Sequence, residues 1–285
     1  MSNLAIVTGA SRGIGLSTAE KLARLGWNLN LVSSNRERLS AVAKQLSDKF
    51  PGIEVAFTPI DFSNLDAVRE GARLLPEGWD LLINNAGVKV VEGAGTTAQD
   101  HEWHLGINHL APFLLTLGLL PTANRGARVT TVASIVARIA APENLEAPDL
   151  DVSALYARSK LMNLLFAIEL NERMRASSDP HLRSMSSTAA HPGFTRASRY
   201  GKSYVRPAEY LFAQSTRFGA MPIVDAALAT VTNSSEFTYL GPRHFELWGR
   251  TKPAIVPERA SDSDFRQRIW SLSENLSGCS GDYLV

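Results

Sequence analysis

Leu4-Ala5-Ile6-Val7-Thr8-Gly9-Ala10-Ser11-Arg12-Gly13-Ile14-Gly15 is the stretch that decides how this chain folds. An apolar run without alternation, cut off at Thr8-Gly9, fits a strand buried on both faces, as in a parallel sheet. From Gly15 onward, Leu16, Ala19, Leu22 and Ala23 recur at helical spacing, and the pattern stops at Leu25-Gly26. The glycines at the junction are spaced Gly-x3-Gly-x-Gly. They permit a tight turn and let backbone approach a diphosphate at the positive end of the following helix. A turn that merely needs glycine freedom would look the same, so the weight of this motif comes from the rest of the chain.

Working outward, the strand-helix unit repeats. Apolar runs at 29–32, 55–57, 80–83, 128–132 and, more weakly, 187–190 read as strands. Helical patterns cover 37–46, 65–74, 103–119 and 153–174. Parallel strands need crossover connections, and crossover helices bury both sheet faces. The expected fold is therefore α/β, a doubly wound parallel sheet. No linker-like shift in composition and no solenoid-period repeat divides it, so residues 1–285 form a single domain.

The bulk properties agree. The chain has 285 residues, 45% of them apolar and 20% charged, the balance of a folded globular protein. Its 29 basic and 28 acidic residues leave a net charge of +1, which points to no nucleic-acid or acidic-membrane partner. The lone cysteine, Cys279, allows no intramolecular disulfide, as expected for a reducing compartment. Met1 to Ala5 leads directly into the first strand, leaving no room for a signal peptide. The longest apolar stretch, 113–120, contains Thr116 and Gly118 and ends at Pro121, short of the roughly 20 residues that cross a bilayer. A cytoplasmic protein without a membrane span is expected.

Four further features carry chemistry. Asn84-Asn85-Ala86-Gly87 closes the fourth strand, Asn108 lies in the helix after it, and Ser134 follows the fifth strand. Tyr156-Ala157-Arg158-Ser159-Lys160 lies in the next helix. Tyr156 and Lys160, at i and i+4, share a helix face. A phenol is a poor base because its ordinary pKa is about 10, but a nearby ammonium favours the phenolate. The pair is thus expected to give and take a proton at neutral pH. His101 and His104 have no third ligand at suitable spacing, so no metal is expected and both read as solvated or core residues.

This set of motifs, in this order, resembles the short-chain dehydrogenase/reductase family, and the resemblance runs from Leu4 to about Gly278. Asn108-His109-Leu110-Ala111-Pro112-Phe113-Leu114-Leu115-Thr116, Ser159-Lys160-Leu161-Met162-Asn163 and His191-Pro192-Gly193 are most similar to the retinol dehydrogenase-like branch. Trp270-Ser271-Leu272-Ser273-Glu274 resembles that branch's terminal helix. The resemblance implies a Rossmann fold, a nicotinamide cofactor and a small-molecule substrate. It assigns catalysis to Asn108, Ser134, Tyr156 and Lys160, with Ser134 orienting the substrate oxygen and Asn108 holding a water that connects Lys160 to solvent. It assigns cofactor binding to Gly9, Ser11, Arg12 and Ile14 in the turn and to Asn35 and Arg36 after the second strand. Asp61 and Phe62 would meet the adenine edge, and Asn85, Ala86 and Gly87 the adenosine ribose. Tyr156 and Lys160 would face the nicotinamide ribose, and Pro192, Gly193 and Thr195 the carboxamide. It further implies a substrate lid around 196–221 and a C-terminal extension around 236–285. Homodimers and homotetramers occur in the family, and monomers in this branch.

An acid at the end of the second strand would pair with a ribose 2′-hydroxyl and repel a 2′-phosphate. Here the strand ends Val32-Ser33-Ser34-Asn35-Arg36, without an acid. Arg12 and Arg36 could both face a 2′-phosphate, although the family's usual arginine position holds Ser34. NADP(H) is expected over NAD(H). Between Arg196 and Met221, five basic residues (Arg196, Arg199, Lys202, Arg206, Arg217) face one acid, Glu209, with Tyr200, Tyr204, Tyr210, Phe212 and Phe218 among them. The aromatics suggest a substrate with a substantial apolar part, and the basic excess reads as a solvated charged face or, alternatively, as an attractor for an anionic group on the substrate. The expected activity is hydride transfer between nicotinamide and a ketone or aldehyde and its alcohol. Reduction of a polarised carbon-carbon double bond, or a catalytically silent nucleotide sensor, are the alternative readings.

Overall fold

The computed structural model describes residues 3–89, 95–140, 151–196, 212–229 and 237–284. Eight strands form one sheet: β1 (Leu4–Thr8), β2 (Asn28–Ser33), β3 (Val55–Pro59), β4 (Trp79–Asn84), β5 (Ala123–Val132), β6 (Ser186–Ala190), β7 (Tyr239–His244) and β8 (Trp248–Pro253). Their order is β3-β2-β1-β4-β5-β6-β7-β8. All neighbours pair in parallel except β7 and β8, which form an antiparallel edge hairpin. The doubly wound sheet is as expected, and the edge hairpin is an addition to it. The chain runs outward from β1 in both directions, so a crevice opens at the carboxyl ends of β1 and β4, where such sheets bind ligands.

β1 shows why this sheet holds together. Ala5, Ile6 and Val7 are all fully buried. Ile6 faces one core with Leu82, Val68, Phe113, Phe166 and Trp270, while Ala5 and Val7 face the other with Leu22, Leu39, Leu81 and Ile223. The second core is covered by α1 (Gly13–Arg24) and α2 (Arg36–Lys49). The first is covered by α3 (Leu65–Leu74) and by the helices that follow β4 and β5. Burying apolar area on both faces at about 25 cal/mol per Å2 is what pins each strand between two helix layers.

After β4 the helix begins as α4 (Trp103–Leu105), widens into a π-helical turn (Gly106–Leu110) and continues as α5 (Ala111–Leu119). The whole run, Trp103–Thr122, has mean hydropathy 1.3 and is long and apolar enough to cross a membrane by length and composition. This corrects the expectation drawn from 113–120 alone. Burial inside the fold accounts for the composition, since 78% of the window is buried. Next come α6 (Val152–Ala176), α7 (Pro180–Ser184), α8 (Thr216–Gly219), α9 (Met221–Leu228) and α10 (Ser263–Ser277). α10 lies across α5 and α6, with Trp270 edge-on to Phe113 at 5.0 Å and Arg173 over its ring at 4.3 Å.

Candidate active site

The glycine turn carries α1 to the crevice. Gly9 and Gly13 have φ of +67° and +59°, a region that L side chains rarely adopt. Gly15 is required by contact instead, because a Cβ there would lie 2.2 Å from the Gly9 carbonyl oxygen. α1 then starts at Arg12 with no side-chain cap and no acid in its first turn. A helix N-terminus without a capping side chain or an acid favours an anion through its dipole. Ser11 and Arg12 lie in this turn, and Ile14 packs its side chain on the core beneath it.

The turn is tied directly to the loop after β4. Thr8 Oγ1 accepts from the Asn85 and Ala86 backbone N–H groups, both at 2.9 Å, and donates to the Ile83 carbonyl. Asn85 Nδ2 donates to the Thr8 carbonyl at 2.8 Å, so this side chain stitches β1 to β4. A Cβ on Gly9 would meet Asn85 Nδ2 at 2.7 Å and Ala86 Cα at 2.9 Å. The loop next meets the helices. Asn108 exchanges two hydrogen bonds with the backbone of Val88 and donates to Ser159 Oγ at 3.0 Å. A Cβ on Gly87 would lie 2.9 Å from Asn108 Oδ1 and 3.6 Å from Lys160 Nζ. Lys160 donates to the Val132 carbonyl at 3.0 Å, beneath the end of β5, and lies 5.8 Å from the centroid of the Tyr156 ring. Ser134, the second residue past β5, has its side chain close enough to the Tyr156 hydroxyl to favour the phenolate. A continuous chain of contacts therefore joins the glycine turn, residues 85–88, Asn108, Lys160, Tyr156 and Ser134.

One expectation changes here. Burial, not the neighbouring Lys160 ammonium, sets the direction of the Tyr156 shift. Burial raises the phenol's pKa, and the Ser134 side chain works the other way. Lys160 itself is pulled down to about 8 by burial. The Asn108 side chain is fully buried, with both amide hydrogens given to Val88 and Ser159, so a water donating to it would reach its backbone carbonyl or the second lone pair of Oδ1. The π-helical turn around Asn108 is where such a carbonyl is released from regular pairing.

On the other side of the crevice, β6 delivers Pro192, Gly193 and Thr195. Gly193 has φ +66°, and a Cβ there would fall 2.5 Å from the Leu247 carbonyl. Thr195 Oγ1 and Gln214 Nε2 both donate to the Pro192 carbonyl, at 2.7 and 2.8 Å. Below them His191 and Glu246 pair at 3.0 Å, and Glu246 also binds Arg138, which lies four residues after Ser134. The β7–β8 turn is thus clamped to the segment carrying Ser134. Burial drives His191 down to about 4 against the pull of the Glu246 carboxylate.

On the adenosine side each expected residue has a partner within the fold. Asn35 caps α2, its Oδ1 accepting from the Arg38 N–H at 2.7 Å, and Arg36 opens that helix on the surface. Asp61 folds back onto Ser63 N–H and Oγ at 2.9 and 2.7 Å, while Asn64, not Asp61, caps α3. The Phe62 side chain is buried in the core with Ile60 and Val68, so only its backbone can reach a ligand. Of the lid expected at 196–221, residues 197–211 lie outside the described residues.

Sequence reasoning missed Thr8, Gln214, Arg138 and Glu246. Thr8 adjoins the glycine turn and was legible as a hydroxyl at a strand end. Glu246, at φ +58°, carried no signal, since its partners come from three separate segments.

The short chain dehydrogenase family profile matches residues 3–146. The chain is similar to polyprenol dehydrogenase of Mus musculus, at 33% identity over 98% of this chain and 84% of that one. It is similar to retinol dehydrogenase 13 of Homo sapiens, at 30% identity over 96% and 84%. Among solved structures it resembles a short-chain dehydrogenase from Sphingobium yanoikuyae in complex with NADPH, with TM-score 0.60, 26% identity and coverage of 78% and 83%.

Proposed function

The chain belongs to the short chain dehydrogenase family, in its retinol dehydrogenase-like branch, and from that premise we propose that it is an NADP(H)-dependent oxidoreductase acting on a ketone or aldehyde and its alcohol. The observation that carries the proposal is the unbroken contact chain from the glycine turn to Ser134 through Asn108, Lys160 and Tyr156. Tight glycine contacts and an uncapped α1 fit a dinucleotide diphosphate. The nicotinamide, when bound, supplies or accepts the hydride. Gly9, Ser11, Arg12 and Ile14 would hold the diphosphate end, with Arg12 and Arg36 facing a 2′-phosphate. Asn85, Ala86 and Gly87 would border the adenosine ribose, and Pro192, Gly193 and Thr195 the far end.

Tyr156 moves the proton. Because burial raises the phenol's pKa, the hydroxyl stays protonated at neutral pH and is set up as a donor to a carbonyl oxygen. That favours the reductive direction. Ser134 orients the same oxygen, and Lys160 places positive charge beneath the ring. The rim near Ser134 is apolar. Ile139, Phe245 and Ile255 are 78%, 86% and 62% exposed, and Arg138 links their segments through Glu246 and the Ile255 carbonyl. Large exposed apolar side chains gathered at a site mark a binding surface for an apolar group. Polyprenol and retinol, named for the relatives, are apolar alcohols, which supports the same substrate class. The test is NADPH consumption across apolar aldehydes, ketones and enones, with the product identified. Alcohol product from an apolar aldehyde or ketone is expected. Turnover confined to enones, or with NADH alone, would contradict the proposal.

A further inference from the structure

Beside Tyr156 lies a cluster of Glu102, His104 and Arg158. Glu102 precedes α4, and each of its carboxylate oxygens has two partners. Oε1 accepts from the His104 backbone N–H at 2.7 Å and meets His104 Nδ1 at 2.6 Å. Oε2 accepts from the Leu105 N–H at 3.0 Å and from Arg158 Nη2 at 3.4 Å. The other ring nitrogen, Nε2, lies 3.2 Å from the Lys89 carbonyl oxygen. The imidazole is 2% exposed and packs on the Tyr156 ring at an interplanar angle of 69°, with centroids 6.0 Å apart.

Carboxylate and carbonyl oxygens only accept, and a neutral imidazole has a single N–H. Both ring contacts are hydrogen bonds only when both nitrogens carry protons, and that ring is a cation. Glu102 behaves accordingly. Burial pushes its carboxyl up, but hydrogen bonds from the His104 ring and backbone and from Leu105 outweigh this and leave it below its ordinary value.

We propose that His104, fixed between Glu102 and the Lys89 carbonyl, is a positioning residue that holds a cationic ring against Tyr156 and makes its phenol a better acid than burial alone would. This rests on the reading of Tyr156 as the proton-transfer group. The other groups facing the pair are Ser134, beside the Tyr156 hydroxyl, Lys160 on the same helix, and Arg158, which is joined to His104 through Glu102. Lys89 contributes its carbonyl, and its side chain is exposed. Glu102 is shared by His104 and Arg158, and the His104 ring is the member of this cluster packed on the Tyr156 ring. At this separation a cationic ring moves a buried neighbour's titration by about one pH unit.

Ring-nitrogen resonances of 15N-labelled histidine and the ring-carbon titration of 13C-labelled tyrosine test this without a substrate. His104→Gln and Tyr156→Phe assign the two signals. Near neutral pH both His104 nitrogens are expected to be protonated in the native chain. Glu102→Gln, which keeps an acceptor at the start of α4, should strip one of those protons. His104→Gln should raise the Tyr156 titration by about one pH unit. A lone pair on either His104 nitrogen in the native chain would overturn the proposal, and so would a Tyr156 titration unmoved by His104→Gln. If His104→Gln fails to fold, the native and Glu102→Gln spectra still decide. NADPH binding on the same samples separates the two readings. Loss of binding in the native chain would count against the proposed function, whereas normal binding with an unmoved titration would count against His104 alone.

Discussion

Arg12 stands at the entry to a helix that no side chain caps, the place proposed for the cofactor's phosphates. A charge-assisted bond from it to a 2′-phosphate contributes about 1.5–3 kcal/mol, and NADH offers no such partner. Arg12→Ala should therefore raise the Kd for NADPH by about tenfold or more and leave that for NADH within about twofold. Equal losses, measured by fluorescence titration, would reject the phosphate role. At this scale the sequence named positions well and partners poorly. Tyr156, Lys160, Ser134 and Asn108 do meet, because motif order and helix periodicity fix where each side chain lies. What Asn35, Asp61 and Phe62 bind could not be read, since a cap, a short polar turn and a core contact depend on neighbours brought in by the fold. The effect on Tyr156 was misjudged for a related reason. Charge proximity is visible in an i, i+4 spacing, but the competing cost of burial is not.

The β1-turn-α1 element is the least tolerant of change. Gly15 sits where the helix passes the Gly9 carbonyl, and a single added methyl would have to occupy space 2.2 Å from that oxygen and 2.5 Å from Asn85 Nδ2. Neither neighbour can retreat freely, because Asn85 is bonded to Thr8 and the Gly9 carbonyl is backbone. Gly15→Ala should lower Tm by several degrees and weaken NADPH binding by at least tenfold, roughly the effect of a 1–3 kcal/mol overpacking strain. Calorimetry with and without NADPH checks both, and an unchanged Tm would mean the turn is looser than its contacts imply. Elements with strong apolar periodicity were legible to within a few residues, α3 and β1 among them. β7 and β8 were not. Their strands, Tyr-Leu-Gly-Pro-Arg-His and Trp-Gly-Arg-Thr-Lys-Pro, lack a clean period of two and gain their place from pairing with β6 and with each other. The π-helical turn at Gly106–Leu110 likewise left no mark on the hydrophobic pattern.

Across the whole molecule, the buried titratable groups link folding to pH. Burial holds His109 and His191 neutral down to about 4, although each titrates near 6.5 when unfolded. Between those values the unfolded chain binds protons that the folded chain refuses, so stability is lost as pH falls through that window. Each histidine contributes on the order of 3 kcal/mol to that loss at most. Urea unfolding from pH 7 to pH 4 should show the decline, and His109→Gln should flatten it. A slope unchanged in that variant would mean His109 does not contribute to the loss. His109, bonded to Ser273 of α10 at 2.7 Å, also links acid sensitivity to the docking of the terminal helix. The same fold assembles the chemistry, since the glycine turn, the 85–88 loop and α6 converge on one hydroxyl. The central claim is that Tyr156 supplies the proton once the dinucleotide is held. It is tested most directly by measuring NADPH affinity and turnover of a reducible aldehyde or ketone on Tyr156→Phe and the native chain together. NADPH binding within about threefold of native, with turnover reduced by at least a hundredfold, is the predicted result. A Tyr156→Phe protein that turns over at a third of the native rate would contradict it.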